Sequence, residues 1–169
     1  IEACHAGKPC HDWNPSHHIA VWRELHAGHK STRVIQQYQE QIAAQIQYFK
    51  EVAPQAKILF IGPSDMGKSV NGRIQTWPRL PEMVDSLRST ALSNGAAFWD
   101  LYRMMGGENS MVQWVRHSPP LAGPDYIHFT PAGAREVGDA LTRSLLTCYD
   151  FYRLRKTVPE RRIREAFKE

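Results

Sequence analysis

The order of apolar segments in this chain of 169 residues predicts a layered α/β fold with parallel strands. Three features carry that expectation. Apolar residues recur at helical spacing in three long segments, two short apolar runs lie between them, and the alternation of helix and strand requires right-handed crossovers between parallel strands. In such folds, functional groups collect just beyond the carboxyl ends of the strands, which here are Gly62 to Met66 and Asp100 to Met104.

The first helix is predicted from Val34, Ile35, Tyr38, Ile42, Ile46 and Phe49, with Ser31 and Thr32 as candidate caps and Pro54 as the stop. Lys57 to Gly62 is a short apolar run bounded by turn residues, the pattern of a buried strand. A loop rich in Gly, Asn and Pro follows. Leu80, Met83, Val84, Leu87, Ala91 and Leu92 then mark a second helix ending near Asn94 and Gly95. Ala96 to Trp99 reads as a second buried strand, and a long irregular stretch carries Gly106, Gly107, Pro119 and Pro120. Pro131, Ala134, Val137, Leu141 and Leu145 mark the last helix, with proline in its first turn.

Composition excludes several classes. Hydrophobic residues make up 42% and charged residues 22%, with 11 Gly and 11 Pro, so collagen-like, low-complexity and wholly disordered readings fail. No apolar run approaches the roughly 18 residues of a membrane helix, so no transmembrane segment is expected. Of the net charge of +4, residues 150–169 supply +3, with seven Lys/Arg against four Asp/Glu. Thr157, Pro159, Ile163 and Phe167 fit a short capped helix with a solvated charged face there. No basic patch interleaved with aromatic residues accompanies it, so no nucleic-acid partner is expected.

Six of the eight histidines (His5, His11, His17, His18, His26 and His29) fall in the first 29 residues, beside Cys4 and Cys10. Zinc modules need paired ligands at turn-compatible spacing, whereas five residues, Gly7 and Pro9 among them, separate the two cysteines. No metal is assigned. Cys148 lies far off in a helical pattern.

Two motifs compete for the chemistry. Gly62-Pro63-Ser64-Asp65-Met66-Gly67-Lys68-Ser69 follows a strand and satisfies G-x-x-x-x-G-K-[ST], the phosphate-cradling loop of nucleotide binders. That mechanism needs a helix starting at the lysine, yet Asn71-Gly72 and Trp77-Pro78 interrupt the next residues, and Asp65 sets a carboxylate where an anion should bind. The second motif is Asp125-Tyr126-Ile127-His128, followed by Phe129-Thr130-Pro131-Ala132-Gly133-Ala134. A loop running straight into a proline-started helix can fold Asp125 back onto the imidazole, which makes His128 an oriented base. A surface Asp beside a His satisfied by the backbone is the plainer reading of the same residues.

Asp125 to Ala134 resembles the last block of SGNH (GDSL-type) hydrolases, in which D-x-x-H supplies the Asp and His of a Ser-His-Asp triad before the C-terminal helix. Ile58 to Met66, Ala97 to Tyr102, and Met105 to Met111 with Trp114 beyond, are similar to a bacterial branch of that superfamily related to acetylesterases acting on cell-wall or other polysaccharides. The resemblance covers about residues 31–150. It implies a flavodoxin-like three-layer sandwich around a parallel sheet, incomplete at its N-terminal side. It also implies a serine esterase with His128 as general base and Asp125 as its orienting partner, no cofactor, an O-acetylated carbohydrate as substrate, and a periplasmic or extracellular location.

The family's G-D-S nucleophile block and its oxyanion Gly and Asn blocks are absent, and Ser64 lacks the second glycine of a nucleophile elbow. The nucleophile is therefore unidentified, and the chain alone is expected to be nearly inactive. Trp77, Trp99 and Trp114 are candidates to line a sugar cleft, or else are core.

Residues 18–30 have poor strand character where the family carries its third block. Back-translated and read from the second base of each codon, they can encode Ile-Leu-Gln-Phe-Gly-Gly-Asn, a strand ending in that block. The expected organisation is thus residues 1–30 as an out-of-frame or divergent segment, 31–149 as the C-terminal portion of the hydrolase domain, and 150–169 as a basic helical tail. The chain starts with Ile1 and shows no signal-peptide pattern, so any export signal is expected to have been removed or not captured. A non-catalytic carbohydrate-binding or structural remnant is the alternative, and nucleotide binding through Gly62, Lys68 and Ser69 comes after it.

Overall fold

A computed structural model describes residues 31–166, and the chain divides into two units, residues 1–56 and 57–169. The histidine-rich start, Cys4, Cys10 and the out-of-frame reading of residues 1–30 lie outside the described residues, as does Phe167. In the first unit, helix α1 (Ser31–Val52) buries Val34, Ile35, Tyr38, Ile42 and Ile46 along one stripe at the predicted period, whereas Phe49, expected to continue it, is exposed.

The second unit is a mixed α/β arrangement around a small parallel sheet. Strand β1 (Leu59–Ile61) pairs in parallel with β4 (Ala97–Trp99), Phe60 opposite Phe98, and those two rings stack at 5.8 Å. Just past β1, Gly62 lies against the Phe98 ring, and a Cβ there would come within 2.6 Å of Phe98 Cζ, so the ring would have to shift. The expectation of buried strands needs correction: Leu59 and Ile61 are 39% and 47% exposed. An apolar run reads as buried on both faces, but among the described residues β1 pairs along one edge only, with β4.

Residues 67–76, expected to be loop, form an antiparallel hairpin of β2 (Gly67–Val70) and β3 (Arg73–Thr76). Asn71 and Gly72 have φ of 52° and 76°, the two consecutive left-handed residues that a two-residue turn needs to match strand twist. The dipeptide that interrupts a helix is the one that closes a hairpin. Helix α2 (Leu80–Ser93) follows, burying Leu80, Met83, Val84, Leu87 and Ala91, and stops at Asn94 with Gly95 at φ 73°.

The stretch expected to be irregular contains helices α3 (Leu101–Met105) and α4 (Ser110–Arg116). Each is too short to show a full helical period in the sequence. Asp100 caps α3 by accepting from Arg103 N–H at 2.9 Å, and left-handed Gly106, at φ 117°, ends it. Leu101, Met105, Met111, Trp114 and Ala122 form the local core, which Trp99, Phe129 and Val137 help to cover.

Helix α5 (Pro131–Thr157) starts with Thr130 Oγ1 accepting from Gly133 N–H at 3.2 Å, and it runs unbroken through the point where the tail was expected to begin. A further turn, α6 (Glu160–Ala166), follows it. No helix among the described residues is long and apolar enough to cross a membrane.

Gly133 sets how closely α5 meets the preceding loop, since a Cβ there would fall 1.8 Å from the Leu121 carbonyl oxygen. Gly133→Ala is expected to cost about 3 kcal/mol or more through overpacking against backbone. Chemical denaturation measures this, and a change under about 0.5 kcal/mol would show that α5 moves freely against the loop.

Candidate functional site

The loop between α4 and α5 is closed on itself by backbone bonds. Ala122 and Phe129 form an antiparallel bridge, Gly123 N–H donates to the His128 carbonyl at 2.8 Å, and Tyr126 N–H donates to the Gly123 carbonyl at 3.0 Å. Thr130 N–H and Thr130 Oγ1 add bonds to the carbonyls of Leu121 and Pro120 at 3.0 and 2.7 Å. Phe129 anchors the loop in the core against the Trp114 ring at 5.4 Å. At the tip, Tyr126 adopts φ 59°, an uncommon conformation for a residue with a bulky side chain.

That left-handed residue gives the tip its chemistry. It turns the N–H groups of Ile127 and His128 toward one oxygen, Asp125 Oδ1, each at 3.1 Å. The other oxygen, Oδ2, then meets His128 Nδ1 at 2.5 Å. Asp125 is held from both sides. The imidazole hydrogen bond, followed by the two backbone N–H donors, lowers its pKa from an ordinary 3.8 to about 2. With Nδ1 engaged, Nε2 is the ring nitrogen left for an incoming group, on a side chain 81% exposed beside an Asp125 side chain 47% exposed.

The tip does not stand alone. Gly67 N–H, at the start of β2, donates to the Tyr126 carbonyl at 2.8 Å, and a Cβ on Gly67 would come within 2.6 Å of the Tyr126 Cβ. Two residues earlier lies Asp65, fully buried. Its Oδ2 accepts from Met111 N–H at 2.8 Å and Ser110 Oγ at 3.3 Å, while its Oδ1 has no partner among the described residues. Thr76 and Asn109 add a reciprocal pair: Thr76 N–H donates to Asn109 Oδ1 at 3.0 Å, and Asn109 N–H donates to Thr76 Oγ1 at 2.6 Å. The α4 N-terminus is thereby stitched to both ends of the hairpin.

The sequence reading brought Asp125 and His128 together but took Asp65 only as an obstacle to phosphate binding. A carboxylate just past a strand end was the available signal. The nucleotide-binding alternative is overturned by the fold: Lys68 and Ser69 lie in β2 rather than at the start of a helix, and Lys68 Nζ sits over the Trp77 ring at 5.1 Å. Of the three tryptophans, Trp114 is core and donates to the Met105 carbonyl at 3.1 Å, and Trp99 donates to Ser144 Oγ at 3.1 Å. Among the described residues no serine hydroxyl bonds to His128, and no group of three or more His, Cys, Asp or Glu could hold a metal. Cys148 is free and exposed.

The chain is similar to a solved structure of a peptidoglycan O-acetylesterase, with 26% identity and a TM-score of 0.61 over 68% of this chain. The match takes in 32% of that chain, so the present sequence spans about a third of its neighbour's length. No family model matches, and neither does any curated protein.

A folded-state pKa of about 2 against an ordinary 3.8 means that Asp125 adds stability above about pH 4, and that this is lost as pH falls through 2. The melting temperatures of the wild type and Asp125→Asn are therefore expected to differ by a few degrees at pH 5 and to converge by pH 2, the exposed pair being solvent-screened. Thermal melts across that range check it, and a gap constant with pH would count against a charged Asp125 as the source.

Proposed function

We propose that this chain carries the acid-base half of a serine esterase of SGNH type, hydrolysing O-acetyl groups on carbohydrate, with His128 as general base and Asp125 as its orienting partner. The observation that carries the reading is the 2.5 Å contact between Asp125 Oδ2 and His128 Nδ1 on a loop that fixes Asp125 with two further N–H groups. The similarity to a peptidoglycan O-acetylesterase supports both the chemistry and the substrate class. The substrate in turn supports a periplasmic or extracellular place of action. The same support favours the three-layer parallel sandwich as the architecture of the whole domain.

In this mechanism a serine oxygen attacks the ester carbonyl carbon while His128 Nε2 takes its proton. Asp125 holds the proton on Nδ1 and so keeps Nε2 free to accept. The imidazolium that forms is stabilised by the adjacent carboxylate. It then protonates the departing sugar oxygen as the carbon–oxygen bond breaks, leaving an acetyl-serine. Water attacks that ester with His128 again taking the proton, the proton returns to the serine oxygen, and acetate leaves. No metal or cofactor enters the scheme. The serine is not identified in this chain, nor are the donors that would stabilise the oxyanion.

That no serine hydroxyl bonds to His128 among the described residues favours one competing reading, a carbohydrate-binding or structural remnant without turnover. Expression together with the coding sequence upstream of residue 31, in the frame that supplies a G-D-S block, separates the two. Hydrolysis of p-nitrophenyl acetate is expected in that protein, and His128→Ala should lower it by about 10³-fold or more with little change in melting temperature, the side chain being exposed. Undiminished turnover in His128→Ala would reject His128 as the base.

A further inference from the structure

We infer that Asp65 is a positioning residue for the Asp125 and His128 pair, acting through the Met66-Gly67 backbone and the Tyr126 carbonyl. A fully buried carboxylate is costly unless it is hydrogen-bonded, and Asp65 is bonded through one oxygen while the other has no partner among the described residues. Its other oxygen ties residues 62–66 to the first turn of α4 through Ser110 and Met111. Met66, the next residue, is buried, and its carbonyl accepts from Trp77 N–H at 2.8 Å, which fixes the peptide plane that presents Gly67 N–H.

Gly67 N–H reaches the Tyr126 carbonyl at 2.8 Å, in a contact that leaves no space for a side chain on Gly67. This bond fixes the peptide that follows the left-handed residue of the tip. A non-glycine residue in that region is held there by its surroundings at a cost of about 1 kcal/mol or more. If the Tyr126 carbonyl is released, the turn can relax to an ordinary conformation, and the Ile127 and His128 N–H groups then swing away from Asp125 Oδ1. A buried carboxylate distant in sequence thus sets the geometry in which Asp125 meets the imidazole. The use of that geometry in catalysis rests on the esterase reading above, whereas the geometry itself does not.

The test uses the full chain and needs no substrate. Asp65→Ala and Asp65→Asn are compared with wild type by NMR, following the titration of the Asp125 carboxyl and hydrogen exchange at the Ile127 and His128 amides. In Asp65→Ala the Asp125 midpoint is expected to rise by about one unit toward the ordinary carboxylate value, and the two amides to exchange about tenfold faster relative to those of α2. Asp65→Asn, which keeps the shape and an acceptor oxygen, should move both readouts in the same direction by less. A lower melting temperature with both readouts unchanged would show that Asp65 merely holds α4, and the proposal would fall. Should Asp65→Ala not fold, Asp65→Asn decides on the same readouts. Turnover of p-nitrophenyl acetate, recorded in parallel in the protein carrying the G-D-S block, tests the esterase reading separately. Its absence there would leave the positioning result standing.

Discussion

One backbone hydrogen bond, from Gly67 N–H to the Tyr126 carbonyl, joins the base of the hairpin to the loop that carries Asp125 and His128. On one side stands the hairpin base, immobilised by Asp65, Met66, Thr76 and Asn109. On the other stands a turn whose left-handed Tyr126 has no intrinsic reason to stay left-handed. The bond needs a residue without a side chain at position 67, and it needs β2 to begin there. The second unit is organised around keeping those two conditions true.

The arrangement that results separates precision from exposure. Asp125 and His128 face water, and they are oriented by two backbone N–H donors on Asp125 Oδ1 and by the Oδ2–Nδ1 contact between their side chains, on a loop anchored in the core at Phe129. Phe129 is pressed on Trp114 at one end of the loop, and Gly133 admits the Leu121 carbonyl at the other. The exposed side of the imidazole, with Nε2 turned away from Asp125, is open to solvent. Its Nδ1 side is nonetheless fixed by the Asp125 carboxylate.

Much of this was legible in the sequence, and the reason is distance along the chain. Helix α2 and the start of α5 follow from apolar spacing and from proline and glycine at their ends. The D-x-x-H turn is local: its donors, acceptor and base sit within four consecutive residues, so the pairing of Asp125 with His128 is legible, although the Gly67 bond that holds Tyr126 is not. The hairpin was hidden because Asn71-Gly72 was weighed only as a helix breaker. Helices α3 and α4 are too brief to show a period. Asp65 could not be assigned a role at all, since its partners Ser110 and Met111 lie 45 and 46 residues away and no pattern links them. The exposed faces of β1 were equally illegible, because an apolar run says what a strand could cover and not what covers it.

Locality has a further consequence for how such a site comes into being. Bringing Asp125 to His128 closes a loop of three residues, which carries almost no chain-entropy penalty, whereas bringing a serine from another part of a fold would close a long one. A contact between near neighbours in sequence is the inexpensive part of such an arrangement, and a group brought from another part of a fold is the costly one. The imidazole–carboxylate pair therefore asks little of the rest of the chain for its closure, and what it draws from a distance is the bond that holds Tyr126 in place.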